Sequence, residues 1–433
     1  MTSYLIKPGS SLQGEIRIPG DKSISHRAAM LGAIARGETR IHNFLEGEDA
    51  LATLDIFRSL GVEIQGPCNG EVVIAGAGLR GLKAPRAALD CGNSGTSMRL
   101  LCGILAAQNF DCVLTGDASL RRRPMLRVTE PLAQMGARVA TSRGGLPPLC
   151  ISGGAGLRGI SYEMPIASAQ VKSALLLAGL HARGETRITE PAPSRDHTER
   201  MFSTFGCAVT RRKNQTSIEG GGELKGTEIH VPADLSSAAF FMVGASIAPG
   251  SNVTLTEVGV NPTRAGVIEI LRLMGADITL SNEKMLGAEP VADIRVRHEK
   301  LRGIEIPSRL VANAIDEFPI LFIAAANAEG ETRLSGALEL RVKESDRIQA
   351  MANGLNALGV RATATEDGMR IVGGPYGGGE IDSHGDHRVA MAFSVAALCA
   401  KEAIAVRDCG NVGTSFPNFV KLALEAGLGI SEH

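Results

Sequence analysis

The sequence predicts an α/β protein of six related units arranged as two sets of three. A recurring GETRI or GETRL run, a glycine at evenly spaced helix ends, and Ala-rich apolar stretches between them carry that prediction. GETRI (residues 37–41) leads to LGV (60–62), and GETRI (184–188) leads to FGC (205–207). GETRL (330–334) leads to LGV (358–360), while three weaker copies end in MGA at Met135, MGA at Met274 and AGL at Ala426. The glycines at 61, 136, 206, 275, 359 and 427 fall roughly 70 residues apart. That spacing is longer than most solenoid repeats and holds about four or five secondary elements.

Each unit begins with an Ala-rich stretch that is apolar nearly all round, such as residues 174–182 and 390–400. These read as buried helices, where Ala lets backbones approach closely. Short β-branched runs (113–114, 253–255) supply the strands. Ile348, Met351, Ala352, Leu355 and Leu358 keep helical spacing, as do Val267, Ile270, Leu271 and Met274, so one-sided surface helices follow. The glycine after each is a helix stop. A unit is therefore a buried helix, a strand, a surface helix, and one or two more strands. The fourth buried helix starts at Asp234, which predicts a division near residues 230–234. The first starts only at Asp21, so residues 1–19 are a spare strand segment expected to join the C-terminal set. The predicted domains are 20–230, and a discontinuous one of 1–19 plus 231–433.

With 44% hydrophobic residues in 433, the core is ample. A net charge of −1, no Trp and three Tyr argue against nucleic-acid binding, which needs a basic surplus and stacking platforms. Eight cysteines without a CxxC pair read as reduced thiols of a cytoplasmic protein. The start MTSYLIKPGS has no apolar leader core, and no run approaches the length of a membrane span. The surface helices show no second apolar stripe, which predicts a monomer.

Polar chemistry gathers at two places in each unit, the buried-helix start and the loop before the surface helix. The starts are DKSISHR (21–27), GNSGTSMR (92–99), SAQVKS (168–173), DLSS (234–237), IDEFP (315–319) and GDHR (385–388). Ser, Asp and Asn there serve as helix caps, but Lys22, Arg27, Arg99, Lys172 and Arg388 lie inside apolar starts, where a cation needs an anion. Open helix N-termini bind anions, so a small polyanionic ligand is expected. The loops SLRRRPM, PSRDHTER and ELRVKESDR add Arg121, Arg122, Arg123, Arg195, Arg341, Lys343 and Arg347. Arg121 and Arg122 read equally as solvated. Arginine forks suit a substrate with both phosphate and carboxylate groups. Asp316 and Glu344, carboxylates among these cations, are the catalytic candidates. Glu317, Asp346 and Asp386 read as structural partners of neighbouring arginines. His384, Asp386 and His387 lack a third ligand group, so no metal is assigned. No GxxxxGK[ST] loop is present, and GGAGLRG (153–159) reads as a turn between strands.

DKSISHR, GNSGTSMR, RPM, SAQVKSALLLAGL, RDHTE, IDEFP, ELRVKESDR, GDHR and SFP, in this order, resemble the 3-phosphoshikimate 1-carboxyvinyltransferase (EPSP synthase) family over essentially the whole chain. The resemblance implies the two-domain enolpyruvyl transferase fold, an inverse α/β barrel of three βαβαββ repeats per domain, with helix N-termini facing an interdomain cleft. It implies transfer of the enolpyruvyl group of phosphoenolpyruvate to the 5-hydroxyl of shikimate 3-phosphate through a tetrahedral ketal, with no metal or organic cofactor. By the same resemblance Lys22, Ser23, Arg27, Ser168, Ala169, Gln170, Arg195, Asp316 and Lys343 hold shikimate 3-phosphate. Lys22, Asn93, Gly95, Arg123, Gln170, Arg347 and Arg388 hold phosphoenolpyruvate. Asp316 takes the hydroxyl proton, Glu344 protonates the methylene carbon, and Lys22 counts with them as catalytic.

Three departures are notable. Ala169 stands where some members have serine, and Thr414 precedes Ser415 where one branch has lysine. Ser94, Ser97 and Leu100 replace that branch's Ala, Ala and Pro, which points to the other branch and leaves inhibition by glyphosate open. A sister enzyme acting on UDP-N-acetylglucosamine uses a cysteine in the loop aligned with residues 120–125, and none is present here. A non-catalytic anion-binding repeat protein would have no need of Asp316 and Glu344.

Overall fold

The computed structural model of the protein describes residues 2–433. The chain divides into two compact units. One contains Gly20–Val231 with Leu286–Glu289, and the other the segment up to Pro19, Pro232–Met285 and Pro290–His433.

Six helices carry the cores. Lys22–Ile34, Gly95–Leu105 and Ala169–Gly179 belong to the first unit, and Leu235–Ile247, Phe318–Ala326 and His387–Ala396 to the second. Every residue of Leu235–Ile247 and Phe318–Ala326 is buried. In the other four the only residues not buried are Lys22 and Ser23, Thr96, Ala169 and Gln170, and Arg388, all in the first turn. A helix apolar on every side has to be enclosed. Leaving the N-terminal turn open exposes the backbone N–H groups that have no partner within the helix.

The surface helices, Glu48–Ser59, Leu126–Gln134, His197–Thr204, Gly266–Leu273, Arg347–Ala357 and Phe419–Ala426, bury one face each. Each ends against one of the six repeat glycines, and all six have positive φ, from +81° at Gly206 to +109° at Gly427. A side chain would be strained in that left-handed cap, which is why glycine marks the repeat.

Among the described residues there are five four-stranded sheets and one three-stranded sheet. The pattern is clear in the sheet of Leu89–Asp90, Cys112–Thr115, Leu146–Ser152 and Arg138–Ser142, one parallel pair followed by two antiparallel pairings. Strands distant in sequence complete three sheets. Glu228–His230 pairs parallel with Arg36–His42, and Gln13–Ile16 pairs parallel with Asn252–Gly259. Tyr4–Ile6 lies between Ile404–Arg407 and Ile430–Glu432. The spare N-terminal segment thus supplies strands to two sheets of the second unit.

The GETR run is the strand that returns along the buried helix. Its threonines, Thr39, Thr186 and Thr332, are all buried. Thr39 and Thr186 pack against Gly32 and Gly179, where an added Cβ would sit 3.2 and 3.0 Å from the threonine Cβ.

His181, just after the third buried helix, is buried and neither ring nitrogen has a hydrogen-bond partner. Burial, with Arg80 adding to it, pushes its pKa down to about 4 from an ordinary 6.5. Between those values the unfolded chain binds a proton that the folded chain refuses, so stability falls as pH drops below 6.5 and levels off below 4. Denaturant titrations at pH 6.5 and 5 should show about 2 kcal/mol of this loss vanishing in His181→Leu. An identical pH dependence in that variant would rule His181 out as the source.

Candidate active site

Two polar clusters stand at the open helix ends, one in each unit. In the first unit the caps are side chains of the predicted start residues. Asp21 accepts from the Ile24 amide at 2.9 Å, Ser94 from Ser97 at 3.1 Å, and Ser168 from Val171 at 3.4 Å. Capping satisfies one amide each and leaves the rest of the turn available.

The cations are arranged around these caps. Lys22 Nζ lies 3.0 Å from Asp49 Oδ2. Arg27 is buried and clamped, Nε donating to Thr198 Oγ1 at 2.7 Å, Nη1 to the Ser23 carbonyl at 2.9 Å, and Nη2 to Ser173 Oγ at 2.9 Å. Its pKa is pushed down to about 10, chiefly by burial, with Glu199 and Asp21 opposing and Arg195 adding to the fall. Arg27 and the half-buried Arg195 lie close enough for each to feel the other's charge, within a set that also includes Glu199 and Asp21.

Arg99 Nη1 donates to Gln170 Oε1 at 2.6 Å, and Gln170 Nε2 donates to Thr96 Oγ1 at 3.0 Å, so the second and third buried helices are tied at their open ends. Arg123 Nη2 donates to Asn93 Oδ1 at 3.0 Å, and Asn93 is held in turn by Asp117 Oδ2 at 2.7 Å. Both guanidinium groups crowd Gly95. A Cβ there would lie 2.9 Å from Arg99 Nη1 and 3.1 Å from Arg123 Nη1. Two forks beside an open helix N-terminus make this the best-built anion position of the unit. Arg121 and Arg122 of the same loop are exposed.

In the second unit Arg347 is the centre. It is buried to 1% exposure, with Nε 2.8 Å from Asp386 Oδ2, Nη2 2.6 Å from Glu344 Oε2, and Nη1 3.6 Å from Asp316 Oδ1. Burial works to lower its pKa, but the Asp386, Glu344 and Asp316 carboxylates outweigh that and raise it. Asp386 is the converse: burial works to raise its pKa, and Arg347 with His387 holds it below the ordinary 3.8. Lys343 Nζ is 3.2 Å from Asp316 Oδ1. Arg388 donates through Nη1 to the Asp316 carbonyl at 2.8 Å and approaches Glu317 at 3.8 Å. Asp346 pairs with Arg341 at 2.5 Å. The structural pairings expected of Glu317, Asp346 and Asp386 are all present.

One expectation needs correction. Lys172 is not offered to a ligand, because it is buried with its Nζ 2.8 Å from Glu190 and 2.7 Å from Glu199. The cation found its anions inside the protein, 18 and 27 residues on in sequence, where spacing alone gives no sign of them. Arg347 differs from Lys172 in standing beside the catalytic candidates, held by Glu344 and Asp386 and 3.6 Å from Asp316.

Sequence reasoning also missed His26. Its Nδ1 lies 2.8 Å from Thr53 Oγ1 and 3.3 Å from Ser97 Oγ, and its Nε2 3.4 Å from Ser94 Oγ. Burial first, then Lys22 and Arg27, drive its pKa well below 6.5, so a neutral ring links the first two helix starts. Ser94 and Ser97, the departures from the other branch, are what this ring bonds to. Thr414 is buried and donates back to the Asn411 carbonyl at 2.7 Å, so no cation stands there. No helix of the described residues is long and apolar enough to cross a membrane.

The same order of motifs is found in known proteins. A family model described as EPSP synthase (3-phosphoshikimate 1-carboxyvinyltransferase) matches residues 6–422. A 3-phosphoshikimate 1-carboxyvinyltransferase of Alkalilimnicola ehrlichii is 64% identical over 99% of this chain and 96% of its own length. One from Methylococcus capsulatus is 63% identical over 98% and 97%. Among solved structures, an EPSP synthase of Acinetobacter baumannii superposes with a TM-score of 0.89 at 56% identity, covering both chains completely. The enolpyruvyl transferase NikO of Streptomyces tendae, 18% identical, shares the fold over 100% of this chain and 99% of its own with a TM-score of 0.80. With the repeat architecture, the two helix-end clusters and near-complete matches in agreement, the chain belongs to the EPSP synthase family.

Proposed function

We propose that this enzyme transfers the enolpyruvyl group of phosphoenolpyruvate to the 5-hydroxyl of shikimate 3-phosphate, releasing inorganic phosphate. The observation that carries the reading is the charge pattern at the open helix turns. Lys22, Arg27, Arg99 and Arg123 gather at those of one unit, and Asp316, Lys343, Glu344 and Arg388 at that of the other. Two anionic substrates repel each other, and opposing cations are the means of holding them at reacting distance.

The chemistry divides between two carboxylates. Glu344 donates a proton to the methylene carbon of phosphoenolpyruvate, making the adjacent carbon electrophilic. The 5-hydroxyl oxygen adds to that carbon while Asp316 accepts the hydroxyl proton, giving the tetrahedral ketal. Elimination reverses the first transfer: Glu344 removes a proton from the new methyl group, the carbon–oxygen bond to phosphate breaks, and phosphate leaves with its electron pair, the proton held on Asp316 going with it and restoring the carboxylate. General acid and base steps of this kind contribute about a hundred- to ten-thousandfold each. Lys343 and Arg347, 3.2 and 3.6 Å from Asp316, hold its carboxylate in position.

Shikimate 3-phosphate is assigned to Lys22, Ser23, Arg27, Ser168, Ala169, Gln170, Arg195, Asp316 and Lys343. Phosphoenolpyruvate is assigned to Lys22, Asn93, Gly95, Arg123, Gln170, Arg347 and Arg388. Lys22 serves both. We also assign the working form as a cytoplasmic monomer, in keeping with eight unpaired cysteines.

Acceptor choice tests this reading. With phosphoenolpyruvate as donor, shikimate 3-phosphate should be converted, while unphosphorylated shikimate and UDP-N-acetylglucosamine should give at most trace product. Turnover of UDP-N-acetylglucosamine at a comparable rate would overturn the assignment.

A further inference from the structure

Away from both clusters, three neighbouring strands of the first unit bring two histidines and two glutamates together. In the sheet ordered Glu228–His230, Arg36–His42, Glu71–Ala77, Glu63–Cys68, the first is an edge strand of three residues. Its pairing is parallel, with His230 opposite His42. Residues opposite each other share a face, and so do residues two apart, which puts Glu228 beside both rings. The imidazoles stack with centroids 4.6 Å apart. Glu228 Oε1 lies 2.7 Å from His42 Nε2 and 3.5 Å from His230 Nε2. On the other side of the ring, His42 Nδ1 is 3.3 Å from Glu71 Oε1.

We propose that His42 Nε2, His230 Nε2 and Glu228 Oε1 bind one divalent transition-metal ion of the zinc type. The three residues each place one ligating atom within 4.8 Å of the others. A tetrahedral ion with bonds of about 2.0–2.1 Å separates its ligand atoms by about 3.3–3.5 Å. The His230–Glu228 spacing of 3.5 Å already fits, the 2.7 Å contact of His42 has to open by about 0.6 Å, and the two rings, stacked 14° from parallel, have to turn so that their in-plane lone pairs converge on the ion. Two imidazoles and a carboxylate are a recurring zinc ligand set that leaves a fourth position for water. Glu71 supplies the remaining element: a carboxylate on the far nitrogen of a ligating histidine fixes its orientation and raises its basicity. Bound here, the ion ties the short edge strand, held through only three residue pairs, to the strand beside it.

The test uses full-length protein stripped with a chelator and titrated with Zn²⁺ by calorimetry, and with Co²⁺ in a visible spectrum. One equivalent should bind, with a rise in melting temperature, and Co²⁺ should give ligand-field bands without a thiolate charge-transfer band. The last point matters because Cys68, at the end of a neighbouring strand, is exposed. His230→Ala should weaken binding at least about tenfold, and Glu71→Gln about 10- to 100-fold, with melting in chelator unchanged for His230→Ala. No binding, unaltered affinity in His230→Ala, or a thiolate band would each overturn the assignment.

Discussion

Glu344→Gln is expected to fold as the parent does and to lose at least about a hundredfold in kcat, the lower end of what a general acid contributes. The amide keeps the shape of the side chain and can still accept from Arg347, whose Nη2 sits 2.6 Å from Glu344 Oε2. What it cannot do is deliver a proton to the methylene carbon and recover it during elimination. The fold is spared because Arg347 keeps Asp386 at 2.8 Å as a buried counter-charge. Substrate binding should change less than kcat, since the carboxylate is assigned to proton transfer and not to gripping phosphate. Steady-state kinetics with both substrates, alongside a melting curve, checks the point. Near-parental turnover would remove Glu344 from its role.

Arg347→Met is expected to act on stability first. The side chain is buried, and its removal leaves Asp386, itself fully buried, without its main counter-charge. Breaking a buried pair by removing one partner costs about 3–5 kcal/mol. Arg347→Lys should recover only part of this, because an ammonium cannot span Asp386, Glu344 and Asp316 as the fork does. Denaturant unfolding at neutral pH measures both variants. A loss under about 1 kcal/mol in Arg347→Met would mean that the carboxylates repack or take up protons at small cost.

These two residues show what was legible in the sequence. The repeat announced itself through backbone requirements: positive φ at the six helix-end glycines, and apolar surface on every side of the buried helices. Such demands fall on single positions or short periods, so one chain suffices to read them. The helix starts were legible for the same reason, and Asp21, Ser94, Ser168, Asp234 and Asp386 all cap through their side chains. Charge balance inside the first unit was not legible. Arg27 meets Ser173 and Thr198 from 146 and 171 residues away, and Lys172 is neutralised by Glu190 and Glu199. His42 meets Glu228 at a separation of 186. Neutralisation depends on which segments the fold makes adjacent, and spacing along the chain carries no trace of it. The pairing of Glu228–His230 with Arg36–His42 escaped for a related reason, since a parallel partner can be supplied from any distance.

Phosphate release reports the transfer reaction itself. Purified protein with shikimate 3-phosphate and phosphoenolpyruvate together, in the presence of a chelator, should release inorganic phosphate in proportion to enolpyruvyl transferred, and neither substrate alone should support release. Folded protein that releases no phosphate with both substrates present would contradict the account.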